Sequence, residues 1–494
     1  MIDRRETTYV WLASLFACAV ALFFFSENNR FPYTYHPDEP VKVQQIITGE
    51  RLYYHPLLLL TTANWVAEWG GLKSDPQAVV IAGRWCSAVF AAAAVVLLAN
   101  LARRWTGWAG FAMAGLFLVA NTQLYELAHY FKEDPALLVG LAASFSALAW
   151  FWQRPGRVSA FALGAGCGLA MSGKYAGVVV LIFALPMVMA QRQRTGWQGL
   201  GFTLLGIASA WLLFNHPALW ALEDLQAGLA REIAKTTLPE VAETALPNWR
   251  IVRTTVSLTP PLVMLGLLAW LGRWMVDRTF RSWPGLLTFI FPFFYLALLL
   301  FWPKASDRYL LPTLAFLVLN GCIGLAAWLQ AWTGKSRWMQ TCGVLLLLGA
   351  FVLTSGHDIR KARKEFRENS RLQMREWIER KLPKEAVFAT DKVVQLQADP
   401  TWRKRRVESR SFAADLGTIS ELQEQGVTHV IVGLGNLRSY NRAEGYIGTE
   451  KMRADFYREL DSDFPQVWKA NPGFNSYLRP GLAIYAIKPG PSAP

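Results

Sequence analysis

The sequence predicts a polytopic α-helical membrane protein with a soluble α/β domain at its C-terminal end. Three observations lead there. The 494 residues are 53% hydrophobic and only 17% charged, against roughly 25% charged in an average soluble protein. The apolar residues come in long runs that stop near residue 355. Beyond that point Lys, Arg and Glu become dense and short strand and helix patterns alternate, so the chain divides into 1–355 and 356–494. This composition excludes a disordered chain, a disulfide scaffold and an ordinary cytosolic enzyme.

Runs of membrane length cover about eleven segments: 9–25, 78–101, 108–124, 135–152, 158–171, 174–190, 199–214, 258–276, 284–302, 310–329 and 338–354. Arg4 and Arg5 before the first run could mimic a secretory signal. That run is long, ends in Phe23-Phe24-Phe25 and has no small-x-small cleavage site, so it reads as an uncleaved first span. The fifth segment is short for a span and either crosses or re-enters.

The connections alternate in charge. Arg4/Arg5, Arg103/Arg104, Arg154/Arg157, Arg192/Arg194, Arg273/Arg278/Arg281 and Lys335/Arg337 sit in short basic loops, the pattern of the cytoplasmic side. This sidedness accounts for much of the net charge of +14. No basic stripe interleaved with exposed aromatics supports nucleic-acid binding. Because 155–157 and 192–194 both read as inside, 158–190 crosses twice or not at all. The opposite, outer face receives 26–77, 125–134, 172–173, 215–257, 303–309 and everything after 355, with all six histidines. The sequence thus places the protein in the inner membrane of a bacterium with its tail periplasmic, or in the lumenal equivalent of a eukaryote.

The loop at 26–77 suits helices lying at the membrane interface. The loop at 215–257, of mixed charge, is long enough for a mobile cover over a site. Residues 357–380 read as an amphipathic helix leaving the membrane. Residues 386–390, 407–411, 428–433 and 482–487 read as strands, with helices near 417–425 and 449–460, which makes a small α/β domain. Gly433-Leu434-Gly435-Asn436 is a fragment of a phosphate loop that lacks the third glycine and a following helix. The five cysteines all fall in apolar runs, so no disulfide framework is available.

Chemistry-bearing residues gather on the outer face. His36-Pro37-Asp38-Glu39-Pro40 follows the first span, and Glu133-Asp134-Pro135 opens the fourth. Lys174-Tyr175 opens the sixth, Asn215-His216-Pro217 closes the seventh, and Lys304-Ala305-Ser306-Asp307-Arg308-Tyr309 opens the tenth. Charges at the outer ends of several helices can converge on one shallow cavity. A positioned carboxylate there can take the proton of a hydroxyl acceptor. Lys174, Lys304 and Arg308 can neutralise a departing phosphate. One base and several phosphate clamps at a membrane surface suit sugar transfer from a lipid-phosphate donor.

These residues resemble the GT-C superfamily of membrane glycosyltransferases, in particular the protein O-mannosyltransferase and aminoarabinose transferase branch. The His-Pro-Asp-Glu string is also similar to the first-loop motif of the GPI mannosyltransferases. The resemblance covers roughly 9–355 and rests on Asp38 and Glu39, on Glu133-Asp134, on "SGKYAG" around Lys174-Tyr175, and on Asp307-Arg308-Tyr309 followed by "LLPTLAFLVL". It implies a GT-C-like fold and an inverting transfer from a polyprenyl-phosphate sugar to a lipid, glycan or protein acceptor. By that resemblance Asp38 or Glu39 is the base, the other orienting acceptor or sugar. It further implies that Lys174, Lys304 and Arg308 bind the carrier phosphate, and that Glu133 or Asp134 holds sugar hydroxyls or pairs with a cation. Tyr175, His216, Asp307 and Tyr309 complete the candidate substrate site.

No metal ligand is assigned, because His36 and His216 lack any HxxH or HxxxH spacing; a divalent ion is the one cofactor left open. Two rivals stand beside this reading. A lipid-linked glycan ligase or polymerase would share the carrier and the face. A transporter or flippase would place ionisable groups near the bilayer midplane on broken, repeated helices, whereas here the span interiors are almost free of charge.

Overall fold

A computed structural model describes residues 4–237, 247–277, 280–302, 305–334, 336–396, 405–442, 445–473 and 477–487. Two compact units emerge: Met1–Asn29 with Glu39–Ile359, and Arg30–Asp38 with Arg360–Pro494.

The first unit is helical. Seven helices are long and apolar enough to cross a membrane, or eight if the bent pair at 249–276 forms one span. In chain order they begin with α1 (Arg4–Ser26), then α2 (Glu39–Thr48) and α3 (Leu58–Trp69) in the first long loop, and α4 (Pro76–Val119). Asp75 caps α4 by accepting a hydrogen bond from the backbone N–H of Gln77. The 44 residues of α4 are the two expected spans 78–101 and 108–124. Gly107, at φ 60°, breaks the helix, and a Cβ at Gly115 would lie 3.9 Å from that of Ala99, so the chain doubles back on itself there.

A short α5 (Thr122–Ala128) leads to α6 (Asp134–Gln153), α7 (Arg157–Gly173), a 3-10 turn at Tyr175–Val180, and α8 (Leu181–Ala190). Backbone of α7 lies against α6 at Gly173–Leu137, Gly140–Ala170 and Gly166–Ser144. That antiparallel register carries α7 the length of α6. Phe183 of α8 then returns to Phe145 of α6, with ring centroids 5.8 Å apart. The 158–190 region therefore runs out and back as two helices.

The remainder comprises α9 (Arg192–Asn215), α10 (Pro217–Trp220), α11 (Leu222–Thr237), α12 (Trp249–Leu258), α13 (Pro261–Val276), α14 (Trp283–Leu300), α15 (Leu311–Thr333) and α16 (Arg337–Arg367). Helix α15 is the centre of the unit, its apolar window wholly buried. Phe316 of α15 packs with Phe145 and Phe291 at centroid distances of 4.9 and 4.5 Å. Such offset and edge-on pairs add about 0.5–1.5 kcal/mol each beyond area burial.

The second unit holds α17 (Ser370–Lys381), β1 (Phe388–Asp391), β2 (Val407–Arg410), α18 (Ile419–Glu424), β3 (His429–Gly433), α19 (Leu434–Arg442), α20 (Gly448–Asp463), β4 (Gln466–Ala470) and β5 (Leu482–Ala486). The sheet order is β2-β1-β3-β5-β4. Strand β1 pairs in parallel with β2 and β3, and β5 pairs antiparallel with β3 and β4. One face packs Met374, Ile378, Phe388 and Ile431 together, the other Leu422, Leu437, Tyr457 and Leu460.

Three sequence expectations change here. Strand β4 had no place in the reading, because its alternation is weak and its residues are largely exposed. Gly433 is followed directly by α19, so the helix taken to be missing is present. The helix expected at 357–380 is the end of α16 and a separate α17, whose N-cap Asn369 accepts from the Arg371 N–H. Asp391 closes β1 and accepts from the N–H groups of Ala413 and Gly433, from Asn436 Nδ2 and from the Tyr457 hydroxyl, at 2.7–2.9 Å. Burial raises its pKa against those donors, and the four bonds explain how a carboxylate sits in this core.

Close helix approach in the membrane unit makes a direct prediction. A Cβ at Gly164 would lie 1.9 Å from the carbonyl oxygen of Thr203, and one at Gly206 would lie 2.2 Å from that of Phe161. Only glycine permits this α7–α9 contact. Gly164→Leu is expected to abolish recovery of monodisperse protein in detergent, measured by size-exclusion chromatography. Gly201→Leu, whose site is open, should leave it unchanged.

Candidate functional site

The site is built on a corner of the membrane unit where α5 hands over to α6. Residues 129–133 pass there without regular helix, so their backbone groups need partners and offer contacts. Glu39, the first residue of α2, is fully buried, as is Arg84 one third of the way along the first arm of α4. Arg84 Nε and Nη2 donate to the two Glu39 oxygens at 2.9 and 2.6 Å. Its Nη1 donates to the Asn29 carbonyl at 2.7 Å. Phe131 N–H donates to Glu39 Oε1 at 2.9 Å. This is bidentate pairing with both carboxylate oxygens engaged, as a buried charge pair requires.

Three residues on, Lys42 lies on the same face of α2. Its ammonium is 2.6 Å from Glu133 Oε1 and donates to the Phe131 carbonyl at 2.6 Å. Burial alone would raise the Glu133 pKa, but Lys42, His55 and Lys132 outweigh it and hold the carboxyl well below its usual range. A depressed carboxyl pKa contributes stability above its ordinary value and loses it as pH falls through the depressed one. The pair therefore persists throughout the neutral range.

The next residue, Asp134, accepts from Lys174 Nζ at 2.5 Å. Lys174 ends α7 and lies 4.5 Å from the centroid of the Tyr309 ring. Arg308 stands 5.2 Å from the same ring, and Trp302 stacks on it at 5.0 Å. Two cations thus share one buried aromatic, an arrangement worth about 0.5–2 kcal/mol per contact depending on desolvation. An ammonium carries three N–H donors and a guanidinium five, and Arg308 Nη2 also donates to the Tyr309 hydroxyl at 3.4 Å.

A third loop closes on the corner. Tyr53, at φ 48°, accepts at its carbonyl from the Tyr175 hydroxyl at 2.8 Å. Leu57 N–H donates to Asn215 Oδ1 at 2.8 Å. His55 between them faces Glu133, Lys174, Lys42 and Glu232, and burial keeps its pKa below the usual imidazole value. Helix α11 lies over this loop: Gly228 touches the Tyr53 backbone and Arg231 donates to the Tyr54 hydroxyl at 2.5 Å.

The structure brings together Glu39, Glu133, Asp134, Lys174, Tyr175, Arg308 and Tyr309 as the sequence expected. It departs elsewhere. Both oxygens of Glu39 are engaged, by Arg84 and by the Phe131 N–H. His216 is exposed, its Nδ1 3.3 Å from the Leu213 carbonyl oxygen, and stands apart from the cluster. Asp307 faces solvent beside Arg250 at 3.3 Å. Tyr175 is committed to the Tyr53 carbonyl. Lys304 lies outside the described residues. Asp38 belongs to the second unit, half-buried, and its N–H is 3.2 Å from His36 Nδ1. No group of three or more His, Cys, Asp or Glu is placed to hold a metal among the described residues.

Sequence reasoning missed Lys42, Arg84, Tyr53 and His55 as members. Arg84 carried a signal, being a lone cation inside an apolar run. Lys42 carried a weaker one, an i,i+3 spacing from Glu39 on a short helix.

Residues 61–222 match the family model of dolichyl-phosphate-mannose-protein mannosyltransferases. That stretch contains Arg84, Glu133, Asp134 and Lys174 and begins after Asp38-Glu39. ArnT from Cupriavidus metallidurans, solved bound to undecaprenyl phosphate, aligns over 96% of this chain and 98% of its own, at 15% identity and TM-score 0.50. The oligosaccharyltransferase of Archaeoglobus fulgidus in its apo form covers 89% of this chain and 72% of its own, at 11% identity and TM-score 0.51. AglB from Archaeoglobus fulgidus, in complex with an inhibitory peptide and a dolichol-phosphate, covers 90% and 72%, at 10% identity and TM-score 0.50. No curated protein matches the sequence. The GT-C recognition made from the motifs is borne out by this family match and by the shared fold of a polytopic membrane protein.

Breaking a buried ion pair from one side costs about 3–5 kcal/mol, because the other charge stays buried alone. Arg84→Gln is therefore expected to lower the thermal midpoint sharply in detergent, read by tryptophan fluorescence. The double variant Glu39→Gln/Arg84→Gln should recover part of that loss; a double variant as unstable as the sum of the singles would contradict the pairing.

Proposed function

We propose that this chain, a GT-C-type membrane glycosyltransferase, moves a sugar from a polyprenyl-phosphate carrier to an acceptor on the outer face of the membrane, with Asp38 as general base. The observation that carries the reading is the chain of three acid–cation pairs, Glu39–Arg84, Glu133–Lys42 and Asp134–Lys174, ending at the Lys174–Tyr309–Arg308 group. Similarity to ArnT and AglB, solved with undecaprenyl phosphate and dolichol-phosphate respectively, supports a polyprenyl-phosphate donor.

The roles follow from what each group has left to give. Glu39 spends both oxygens on Arg84 and the Phe131 N–H, and Glu133 and Asp134 neutralise lysines. Asp38, directly before Glu39 in the chain, is the carboxylate that the resemblance of the motif puts forward for proton transfer. Its carboxylate takes the proton of the acceptor hydroxyl as that oxygen attacks the anomeric carbon. The bond from that carbon to the phosphate oxygen breaks, and its electron pair leaves on the polyprenyl phosphate. A new glycosidic bond forms on the opposite face of the sugar, so the anomeric configuration inverts.

Lys174 and Arg308 face the growing negative charge of the departing phosphate. Fixed cations placed where charge develops cost no reorganisation during the reaction. Asp134 keeps Lys174 from drifting, and Tyr309 orients both cations through its ring. The basic connections at the opposite ends of the helices support an outer, periplasm-like orientation for this site and for the second unit.

Two measurements test the proposal. Asp38→Asn is expected to reduce sugar transfer by about 10²–10⁴-fold while leaving the detergent-solubilised protein folded. Turnover is followed as release of polyprenyl phosphate from a panel of undecaprenyl- and dolichyl-phosphate sugars. Arg308→Met should mainly raise KM for the carrier-linked donor; near-normal kinetics in both variants would remove the assignment. A periplasmic reporter fused after residue 380 should be active, and a cytoplasmic readout would reverse the sidedness.

A further inference from the structure

The first loop is divided in an unexpected place. Residues Arg30–Asp38 belong to the second compact unit, whereas Glu39 onward belongs to the first. Within that second unit nearly every residue from 31 to 36 has a defined hold. Phe31 packs on Phe366 with centroids 6.1 Å apart. Thr34 is gripped at both ends by one side chain: its hydroxyl donates to Gln395 Oε1 at 3.1 Å, and Gln395 Nε2 donates to its carbonyl at 2.8 Å. The buried Tyr35 ring lies 4.3 Å from the Arg371 guanidinium. Buried His36 stands on Tyr477 at 4.5 Å and accepts at Nδ1 from the Asp38 N–H at 3.2 Å.

The groups doing the holding are themselves fixed. Arg371 is 1% exposed. It donates Nε and Nη2 to the Val393 carbonyl at 3.0 and 2.9 Å, and Nη1 to the Tyr477 carbonyl at 2.5 Å. Gln395 is the one residue of the tail, glycines aside, described at positive φ, 51°. A left-handed conformation costs a residue with a side chain about 1 kcal/mol or more and persists only where the surroundings enforce it. Val394 and Leu396 on either side are fully buried and do enforce it. The result aims the Gln395 amide at Thr34.

We propose that the soluble tail is the positioning element for the catalytic carboxylate: Gln395, with Arg371 and Tyr477, fixes residues 31–36 and through His36 sets the conformation of Asp38. The inference rests on the reading of Asp38 as the base. Loops of this kind are ordinarily mobile, whereas a catalytic group must be held to within about 0.5 Å. A domain that merely tethered or solubilised the enzyme would have no use for a strained residue aimed at this loop. Gln395 and Thr34 are positioning residues in this scheme and touch no reacting atom.

The test uses the full chain in nanodiscs with the undecaprenyl-phosphate sugar that the wild type consumes in the panel above. Gln395→Gly keeps the positive φ and removes the amide; Thr34→Val removes the hydroxyl alone. Both should lower kcat, Gln395→Gly by about 10- to 100-fold, the scale of an ångström-sized misplacement. KM for the donor should stay within about twofold, because uniform binding is untouched. Amides of residues 31–36 should exchange hydrogen faster in both variants, and Thr34→Ser should restore the wild-type rate.

Wild-type kcat in Gln395→Gly with faster amide exchange would overturn the positioning role while leaving Asp38 as the base. A fall in thermal midpoint with kcat unchanged would likewise overturn it. Full activity in Asp38→Asn would instead sink the reading of the base, whichever way the clamp variants behave.

Discussion

The site end of the membrane unit depends on the pairing of Arg84 with Glu39. Both side chains are wholly shielded from solvent, where an isolated charge would cost many kcal/mol and would neutralise rather than persist. The pair survives because further bonds support it. Arg84 also reaches the Asn29 carbonyl, and Glu39 also receives the Phe131 N–H. The end of the first span, the first loop helix, the second span and the turn before α6 therefore meet at one point. Lys42 and Glu133 extend the arrangement by one helical step, and Asp134 and Lys174 by another. Each acid is answered by a cation on a different helix, so the network fixes helix ends relative to one another in a way that apolar packing, which is non-directional, cannot.

This distribution of charge explains the division of labour. A carboxylate that anchors helices must be saturated with donors, and one that moves protons must not be. Glu39 meets the first condition, and Asp38, its neighbour in sequence, is the acid proposed to meet the second. The cations divide similarly. Arg84 and Lys42 spend themselves on carboxylates and carbonyls. Lys174 and Arg308 flank one aromatic ring, and they are the cations proposed to meet the carrier phosphate.

Much of this was legible in the sequence because membrane spans are the strongest signal an apolar chain carries. Each expected run corresponds to a helix or to one arm of α4, and Glu133, Asp134, Lys174 and Arg308 stood out because charge is scarce. The pairing was not legible. Arg84 lies 45 residues from Glu39, Lys42 lies 91 from Glu133, and Lys174 lies 40 from Asp134; spacing across such distances contains no geometry. Only contact shows which acid pairs with which cation. In the tail, β1, β3 and β5 were readable as buried β-branched and aromatic runs. Strand β4 escaped because it is a sheet edge, where exposure erases the alternation on which strand reading relies. The break between α16 and α17 depends on a cap at Asn369, a signal that a dense run of Lys, Arg and Glu conceals.

The boundary between Asp38 and Glu39 gives the acidic motif its meaning. One peptide bond joins a residue held by Arg84 to a segment held by Arg371, Gln395 and Tyr477. A planar peptide leaves only two soft dihedrals per residue, so a carboxylate anchored on both sides along the chain has few conformations to choose from. The proline on each flank narrows them further: Pro37 has a fixed φ and restricts His36 before it, and Pro40 restricts Glu39. The chemical logic of His36-Pro37-Asp38-Glu39-Pro40 is then not two equivalent acids side by side. It is one acid held in a buried ion pair directly beside the acid proposed as the base.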